Sequence, residues 1–563
     1  FTLAGAVAVS ALIALTLSPM MTSRFFKSEH GHNRLVAMID RNFEWISGVY
    51  RHILAAMLNA WKAVVAFGFV IIALIVVMMA VPKMGIMASQ ELAPLEDQGF
   101  LFHIATAAPD ATTQQMATYQ HQVFEIMKAT PEYQNSFQMD GLGTTNQGFG
   151  GILLKPYGER KRGIGAIQQD LQMRAFGIAG ANVFWINLPP LPGSSGYPVQ
   201  FVINTTEPFD RLYEVSQAVL AKAQATGRFW AIENSLKLDK PQTSVVVDRD
   251  KAATLGLTMK DVGGALGGML GGGYVNYFSI AGRSYKVIPQ VLQDQRLNPE
   301  QLGQYYIHTA AGGVVPAATL ISFKTMTVPE SIDHFQQLNS ATIQGVFGGT
   351  QGEALRTLHQ IADALPLPRG YTIDYSGESR QFVQESGGFL TTMAFVLIII
   401  FLTLAAQFES FTDPLIVMMS VFMGVFGALI FLFLGVATLN IYTQVGLVTL
   451  AGIISKHGIL IVQFANEEQR HGKPKREAIE SGAVIRLRPI LMTTAAMALG
   501  VVPLLIASGA GAVGRNHMGL VIFTGISIGT FFTLFVVPAM YMWLGADHRD
   551  RDAGPAEGAQ KVA

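Results

Sequence analysis

The segment YTQVGLVTLAGIISKHGILIVQFA, Tyr442 through Ala465, is apolar for long enough to cross a hydrocarbon layer of about 30 Å as a helix, and one charge, Lys456, sits deep inside it. Comparable segments recur at 63–81, 388–406, 414–435, 489–507 and 520–544, and a shorter apolar run fills 1–17. This pattern predicts a multi-pass membrane protein. Composition agrees: of 563 residues 50% are hydrophobic and 14% charged, and mean hydropathy is +0.35, too apolar for a set of soluble domains. Formal net charge is zero, so the overall balance suggests no nucleic-acid partner. Cysteine is absent, which excludes a disulfide framework, thiol catalysis and a thiolate metal site. The run at 1–17 opens on Phe1 with neither a basic flank before it nor a small-residue cleavage site after it, unlike a signal peptide. It reads as the end of a membrane helix whose upstream part lies on a longer or separate chain.

Lys and Arg placement sets the orientation. Arg24, Lys27, Arg34, Arg41 and Arg51 follow the first run; Arg470, Lys473, Lys475, Arg476, Arg486 and Arg488 separate the fourth and fifth full segments; Arg549 and Arg551 follow the last. With alternating spans all of these share one side, predicted to be cytoplasmic, whereas the opposite loops 436–441 and 508–519 contain only Arg515. In 41–62, Phe43, Ile46, Tyr50, Ile53, Leu54 and Met57 recur at helical spacing, which predicts an amphipathic helix on the cytoplasmic surface.

Residues 82–386 are mixed in polarity and fall between two spans, so they form a domain outside the cytoplasm. Strand-like alternation at 99–107, 135–140, 149–155 and 181–188 alternates with helical patterns at 112–129 and 164–176. That order is β-α-β-β-α-β. A second copy opens at 197–204, 209–225 and 231–237 and resumes at 341–347, 352–364 and 371–375, with a smaller module nested at about 241–328.

Four stretches resemble the resistance-nodulation-division transporters of the hydrophobe/amphiphile multidrug branch: LAPLEDQG at 92–99, LAAQFESF at 404–411, SKHGILIV at 455–462 and RLRPILMT at 486–493. The match runs from the family's sixth helix to its twelfth. The resemblance implies an α+β membrane protein with one partial plus six transmembrane helices and a large periplasmic insert of two βαββαβ porter subdomains and a nested docking subdomain. Its boundaries would be 1–22 for the end of helix 6, 23–62 for the surface helix, 63–82 for helix 7, 83–193 for the first porter subdomain, 194–240 with 328–384 for the second, 241–327 for docking, 385–544 for helices 8–12 and 545–563 for a disordered cytoplasmic tail. It also implies a trimer in the bacterial inner membrane, joined to a missing N-terminal half, a periplasmic adaptor and an outer-membrane channel. Such an antiporter is not an enzyme and needs no cofactor beyond the proton as coupling ion.

A charge as deep as Lys456 costs at least ~2.5 kcal/mol even on the most lenient scale. Either it snorkels to an interface or it has a functional partner. No acid of matching depth occurs in the spans: Glu409 and Asp413 read as loop residues and Glu385 as lying at the outer edge. By resemblance the partner is a pair of aspartates in the missing half, and Arg486 and Thr493, seven apart on one helix face, continue a proton relay. Arg486 reads equally as one of the positive-inside residues, and Thr493 as bonding its own backbone. His457 stands where the family commonly has asparagine. In the insert, the glycine-rich stretch 140–151, with Gly141 among its glycines, lacks the GxxxxGK[ST] pattern of a phosphate cradle. The resemblance makes it a switch loop beside a drug cleft lined by Phe137, Phe149, Leu154, Phe184 and Trp185, any of which reads alternatively as strand core. Leu142 and Thr144 stand where some relatives have phenylalanine.

Two rival readings are weaker. The heavy-metal branch uses thioether ligands for Cu(I) or Ag(I), and Met139 lies near the glycine-rich stretch, but that branch has Glu where Lys456 stands. A non-transporting scaffold of the same fold would have no use for the intramembrane lysine.

Overall fold

The computed structural model describes residues 2–25, 34–80, 89–141, 143–192, 196–309, 311–365 and 367–548. Phe1, Lys27, Leu142 and residues 549–563 of the expected tail, Arg549 and Arg551 among them, lie outside these ranges, whereas 545–548 are described and the amide of His548 donates to Gln469 at 2.9 Å.

The chain opens with α1 (Thr2–Phe25), α2 (Arg34–Asn59) and α3 (Trp61–Ala80). Only part of the apolar residues expected on one face of α2 turn inward. Tyr50, Leu54 and Leu58 are buried, whereas Trp45, Ile46, Val49, Ile53 and Met57 remain exposed as a second apolar stripe.

The first α/β unit consists of β1 (Phe100–Ala107), α4 (Thr113–Lys128), β2 (Tyr133–Asp140), β3 (Gln147–Leu154), α5 (Ile164–Ala175) and β4 (Ala181–Asn187), with the antiparallel sheet ordered β2-β3-β1-β4. Thr112 starts α4 with a reciprocal capping box to Gln115, satisfying amides at the helix end. Both helices cover one face, where Leu101, Ala105, Ile152 and Val183 meet Met116, Val123, Ile167 and Leu171.

The second unit opens with β5 (Val199–Thr205), α6 (Phe209–Ala225) and β6 (Phe229–Asn234). An excursion follows through β7 (Lys240–Val247), α7 (Arg249–Thr254), α8 (Met259–Met269), β8 (Asn276–Ile280), β9 (Arg283–Val287), β10 (Tyr306–His308), β11 (Val314–Pro316), β12 (Ile321–Val328) and β13 (Asp333–Phe335). The unit then closes with β14 (Leu338–Phe347), α9 (Gln351–Ala364) and β15 (Thr372–Tyr375). β15 pairs β5, β5 pairs β14 and β14 pairs β6, which repeats the strand order of the first sheet. The outgoing β7 and returning β12 pair along their whole length, so the excursion stands on a two-stranded stem.

The last five helices are α10 (Gly377–Phe408), α11 (Thr412–Phe433), α12 (Ile441–Arg470), α13 (Lys475–Leu505) and α14 (Ala512–Leu544). Among the described residues seven helices, α1, α3 and α10 to α14, are long and apolar enough to cross a membrane. The inner ones pack through small residues: a Cβ on Gly529 of α14 would lie 2.6 Å from the Cα of Gly424 on α11. Such close approach gives van der Waals contact where lipid supplies no hydrophobic drive.

The motif at 92–99 joins the two layers. Glu96, 5% exposed, accepts from the amides of Val513 and Gly514 at 3.2 and 2.6 Å, so it caps the first turn of α14. Its neighbour Asp97 accepts from Arg160 at 3.0 Å and from the amide of Ile164, where α5 begins, at 3.2 Å.

Candidate functional site

Lys456 lies on α12 and its side chain is exposed on the surface of this chain. It makes no hydrogen bond or ion pair among the described residues. The nearest approach to an internal acid is Asp413, which begins α11 rather than lying in a loop and is fully buried. Asn466 donates to it at 2.8 Å, Tyr541 donates to Asn466 at 2.5 Å and Gln469 donates to Tyr541 at 2.7 Å. Asn466 follows Lys456 by ten residues on the same helix, about 15 Å along the axis, so this network belongs to a different depth.

His457, one residue on, points into the bundle and is fully buried. Its Nδ1 lies 3.2 Å from the Thr530 hydroxyl of α14 and its Nε2 3.4 Å from the Thr494 hydroxyl of α13. The imidazole thus clasps three helices directly behind the lysine. Thr494 and Thr530 carry no signal in the sequence that would single them out. Arg486 has its guanidinium 4.7 Å from the ring centre of Phe464, with Nε buried and unbonded. Thr493 bonds the carbonyls of Pro489 and Ile490 at 2.9 and 3.0 Å, the backbone role that was its alternative reading. No hydrogen bond joins Lys456, Arg486 and Thr493 to one another among the described residues.

In the first α/β unit, strand register decides which of the expected cleft residues belong together. Across the sheet Ile104 faces Phe149 and Phe184, Phe102 faces Gly151 and Ile186, and Phe137 faces Gly151. These residues therefore occupy the face away from α4 and α5. Phe137 and Phe149 form an aromatic cluster there with Phe100 and Phe102, with ring centres 4.7 to 6.4 Å apart. Phe184 shares the face. Phe100 and Phe102 were absent from the sequence reading, although their spacing of two on one strand was the available signal.

Leu154 and Trp185 are corrected. Both are 2% exposed and packed in the helix-covered core, so they do not line the open face. Parity explains it: Trp185 adjoins Phe184 on one strand, and Leu154 is an odd number of residues from Phe149, so neither can share a face with its partner.

The glycine-rich stretch also divides. Only Gly141 and Gly143, with φ of +73° and +86°, shape the turn between β2 and β3. The later glycines are part of β3 and provide clearance: a Cβ on Gly151 would collide with the Phe100 ring, and one on Gly150 would meet His103 from the other face. That histidine is fully buried, hydrogen-bonded to Gln120 Oε1 at 2.8 Å, and burial pushes its pKa down to about 4.

The chain's residues 1–545 match the model of the AcrB/AcrD/AcrF family. It is 40% identical over 558 residues to an uncharacterized transporter of Haemophilus influenzae, covering 97% of this chain and 53% of that protein. To the multidrug resistance protein MdtF of Escherichia coli it is 30% identical over 562 residues, covering 96% and 53%. To the toluene efflux pump membrane transporter TtgB of Pseudomonas putida it is 28% identical over 578 residues, covering 98% and 54%. The chain spans about half the length of these relatives. By a match that extends over nearly its whole sequence, this chain belongs to the AcrB/AcrD/AcrF family of resistance-nodulation-division transporters.

Proposed function

We propose that this chain forms the C-terminal half of a proton-driven exporter of hydrophobic and amphiphilic compounds in the bacterial inner membrane. The observation that carries this reading is Lys456, an unpaired charge midway along an apolar helix, exposed where another helix bundle would meet it. A carboxylate placed beside it from the other half would have its pKa lowered, and raised again once the lysine moved away. That difference ties proton uptake to conformation. Arg486 and Thr493 would extend the path toward the cytoplasm, and the three-helix clasp at His457 would hold Lys456 in register.

In this reading the two α/β units are porter subdomains on the periplasmic side and the excursion is the docking subdomain of a trimer, which an adaptor and an outer-membrane channel would complete. Substrates would meet the aromatic face of Phe100, Phe102, Phe137, Phe149 and Phe184, with Gly141 at its rim. Open apolar surface of this kind suits toluene-like and drug-like molecules, in keeping with the names of two relatives. The test is Lys456→Ala in the transporter completed by its other half. Export should fall to background with the protein still present in the membrane, and unchanged drug resistance in that variant overturns the reading.

A further inference from the structure

A cavity of about 280 Å³ opens at the membrane-proximal edge of the α/β units, between the end of β4 and the end of β14. Two carboxylates line it. Glu378, in the first turn of α10, is 8% exposed and meets no hydrogen-bond donor or cation among the described residues. Glu91 accepts one hydrogen bond, from the Thr438 hydroxyl at 2.5 Å, and burial holds its carboxyl above the usual range despite that bond. The two charges act on one another.

The remaining polar wall is short of donors in the same way. Gln351 donates its amide to the Pro198 carbonyl at 2.8 Å and leaves Oε1 buried without a partner, and Asn187 Oδ1 is likewise unbonded. None of the described lining residues is Lys, Arg or His. The nearby Arg228 is committed to Glu353 at 3.0 Å and stacks on Phe347 at 4.8 Å. A buried charge without a counter-charge is costly, and so is a buried acceptor without a donor. One ligand type cures both deficits: a protonated amine brings a positive charge and several N–H donors.

The rest of the wall fits the body of such a ligand. Ile186, Pro190, Trp230 and Phe347 are apolar or aromatic, and Ile186 also lies on the aromatic sheet face, so the cavity continues that face toward the membrane. Its volume is below the roughly 300 to 1,000 Å³ of a site that encloses a drug-sized molecule. The cavity therefore suits the head of an amphiphile, with the tail lying along the sheet face.

Resting on the exporter reading above, we propose that Glu91 and Glu378 form a head-group subsite for protonated amines, giving this transporter a preference for cationic amphiphiles over neutral ones of equal length. The test uses the full-length transporter in lipid nanodiscs and two probes, an alkylammonium with a fluorophore on its tail and the matching alcohol. Fluorescence anisotropy should show the ammonium bound more tightly by wild type. In the E91Q/E378Q variant the ratio of ammonium to alcohol affinity should fall about tenfold or more, the range expected for losing close charge pairing. If the double variant does not assemble, E91Q and E378Q singly should each lower the ratio about threefold. A wild-type protein that binds both probes equally, an unchanged ratio, or a parallel loss of both affinities overturns the subsite. Export of the alcohol probe by wild type is followed separately. Its failure counts against the exporter reading, while the binding ratio still decides the subsite.

Discussion

Acidifying the medium should loosen the first α/β unit through one residue, His103. Its ring is sealed between the sheet and α4, with Nε2 bonded to Gln120 Oε1 at 2.8 Å, Trp185 4.9 Å away and Nδ1 without any partner. A second proton would have to enter at Nδ1, where nothing accepts it. Burial accordingly lowers the pKa from 6.5 to about 4. The folded state keeps His103 neutral while the unfolded chain protonates near 6.5, so the unfolded state binds more protons between these values and stability falls as pH drops through that window. Linkage gives a loss of about 2 kcal/mol between about pH 7.5 and about pH 5, rising to about 3 kcal/mol near pH 4. Glu132, held below the usual carboxylate range by its hydrogen bonds from Arg162, weakens the fold only at still lower pH, which separates the two effects. Thermal melts of the full-length transporter, followed by limited proteolysis of this unit, should therefore show a step above pH 4.5 in wild type. H103L should be less stable at neutral pH by about 1 kcal/mol for the lost hydrogen bond, yet should lose about 2 kcal/mol less than wild type across the window. Parallel curves for wild type and H103L would refute the reasoning.

Four further outcomes follow from the packing. Gly529→Ala should lower the melting temperature through about 1–3 kcal/mol of overpacking at the α11–α14 contact, and an unchanged melt would show that the seam can yield. Tyr541→Phe removes the donor to Asn466 and the acceptor of Gln469 beneath buried Asp413, which should cost about 1–3 kcal/mol in a thermal melt while leaving Lys456 untouched. Phe102→Ala should narrow export of apolar substrates, measured as drug susceptibility, at near-normal protein levels. Leu154→Ala on the covered face should instead lower stability by about 2–5 kcal/mol and reduce protein levels without reshaping the substrate profile.

Apolar length and strand alternation were enough to locate the membrane helices and the first sheet. The run at 442–465 lies within α12, and the alternation at 99–107 is the buried–open pattern of β1. Helix ends were less visible. α13 begins at Lys475, well before the apolar run at 489, because its first turns are helical but carry charge, which a search for apolar length passes over. Depth could be read for Lys456, but its direction could not, since facing is set by the packing of α12 against α11 and α14. The cleft residues show the same division. Alternation was able to separate Phe184 from Trp185, although both were placed in the cleft, and only the docking of α4 and α5 determines which face is covered. The stretch 140–151 misled for another reason: glycine serves both for turns and for clearance, and only Phe100 and His103, distant in sequence, distinguish the two uses. Asp413 looked like a loop acid because its donor Asn466, and the Tyr541 that in turn donates to Asn466, are more than fifty residues away.

Glu96 and Asp97 are consecutive residues that hold two different bodies, one the first turn of α14 and the other the start of α5 with Arg160. A single peptide bond separates them, so the joint is short. If the first α/β unit rocks, α14 must either follow or surrender one of these anchors, and the torque enters the bundle at the helix that also bears Thr530, one of the hydroxyls behind Lys456. A pair of adjacent carboxylates thus ties the α/β layer to the helix behind the lysine, and lengthening that tie by a single inserted residue would put play into the machine without removing any part.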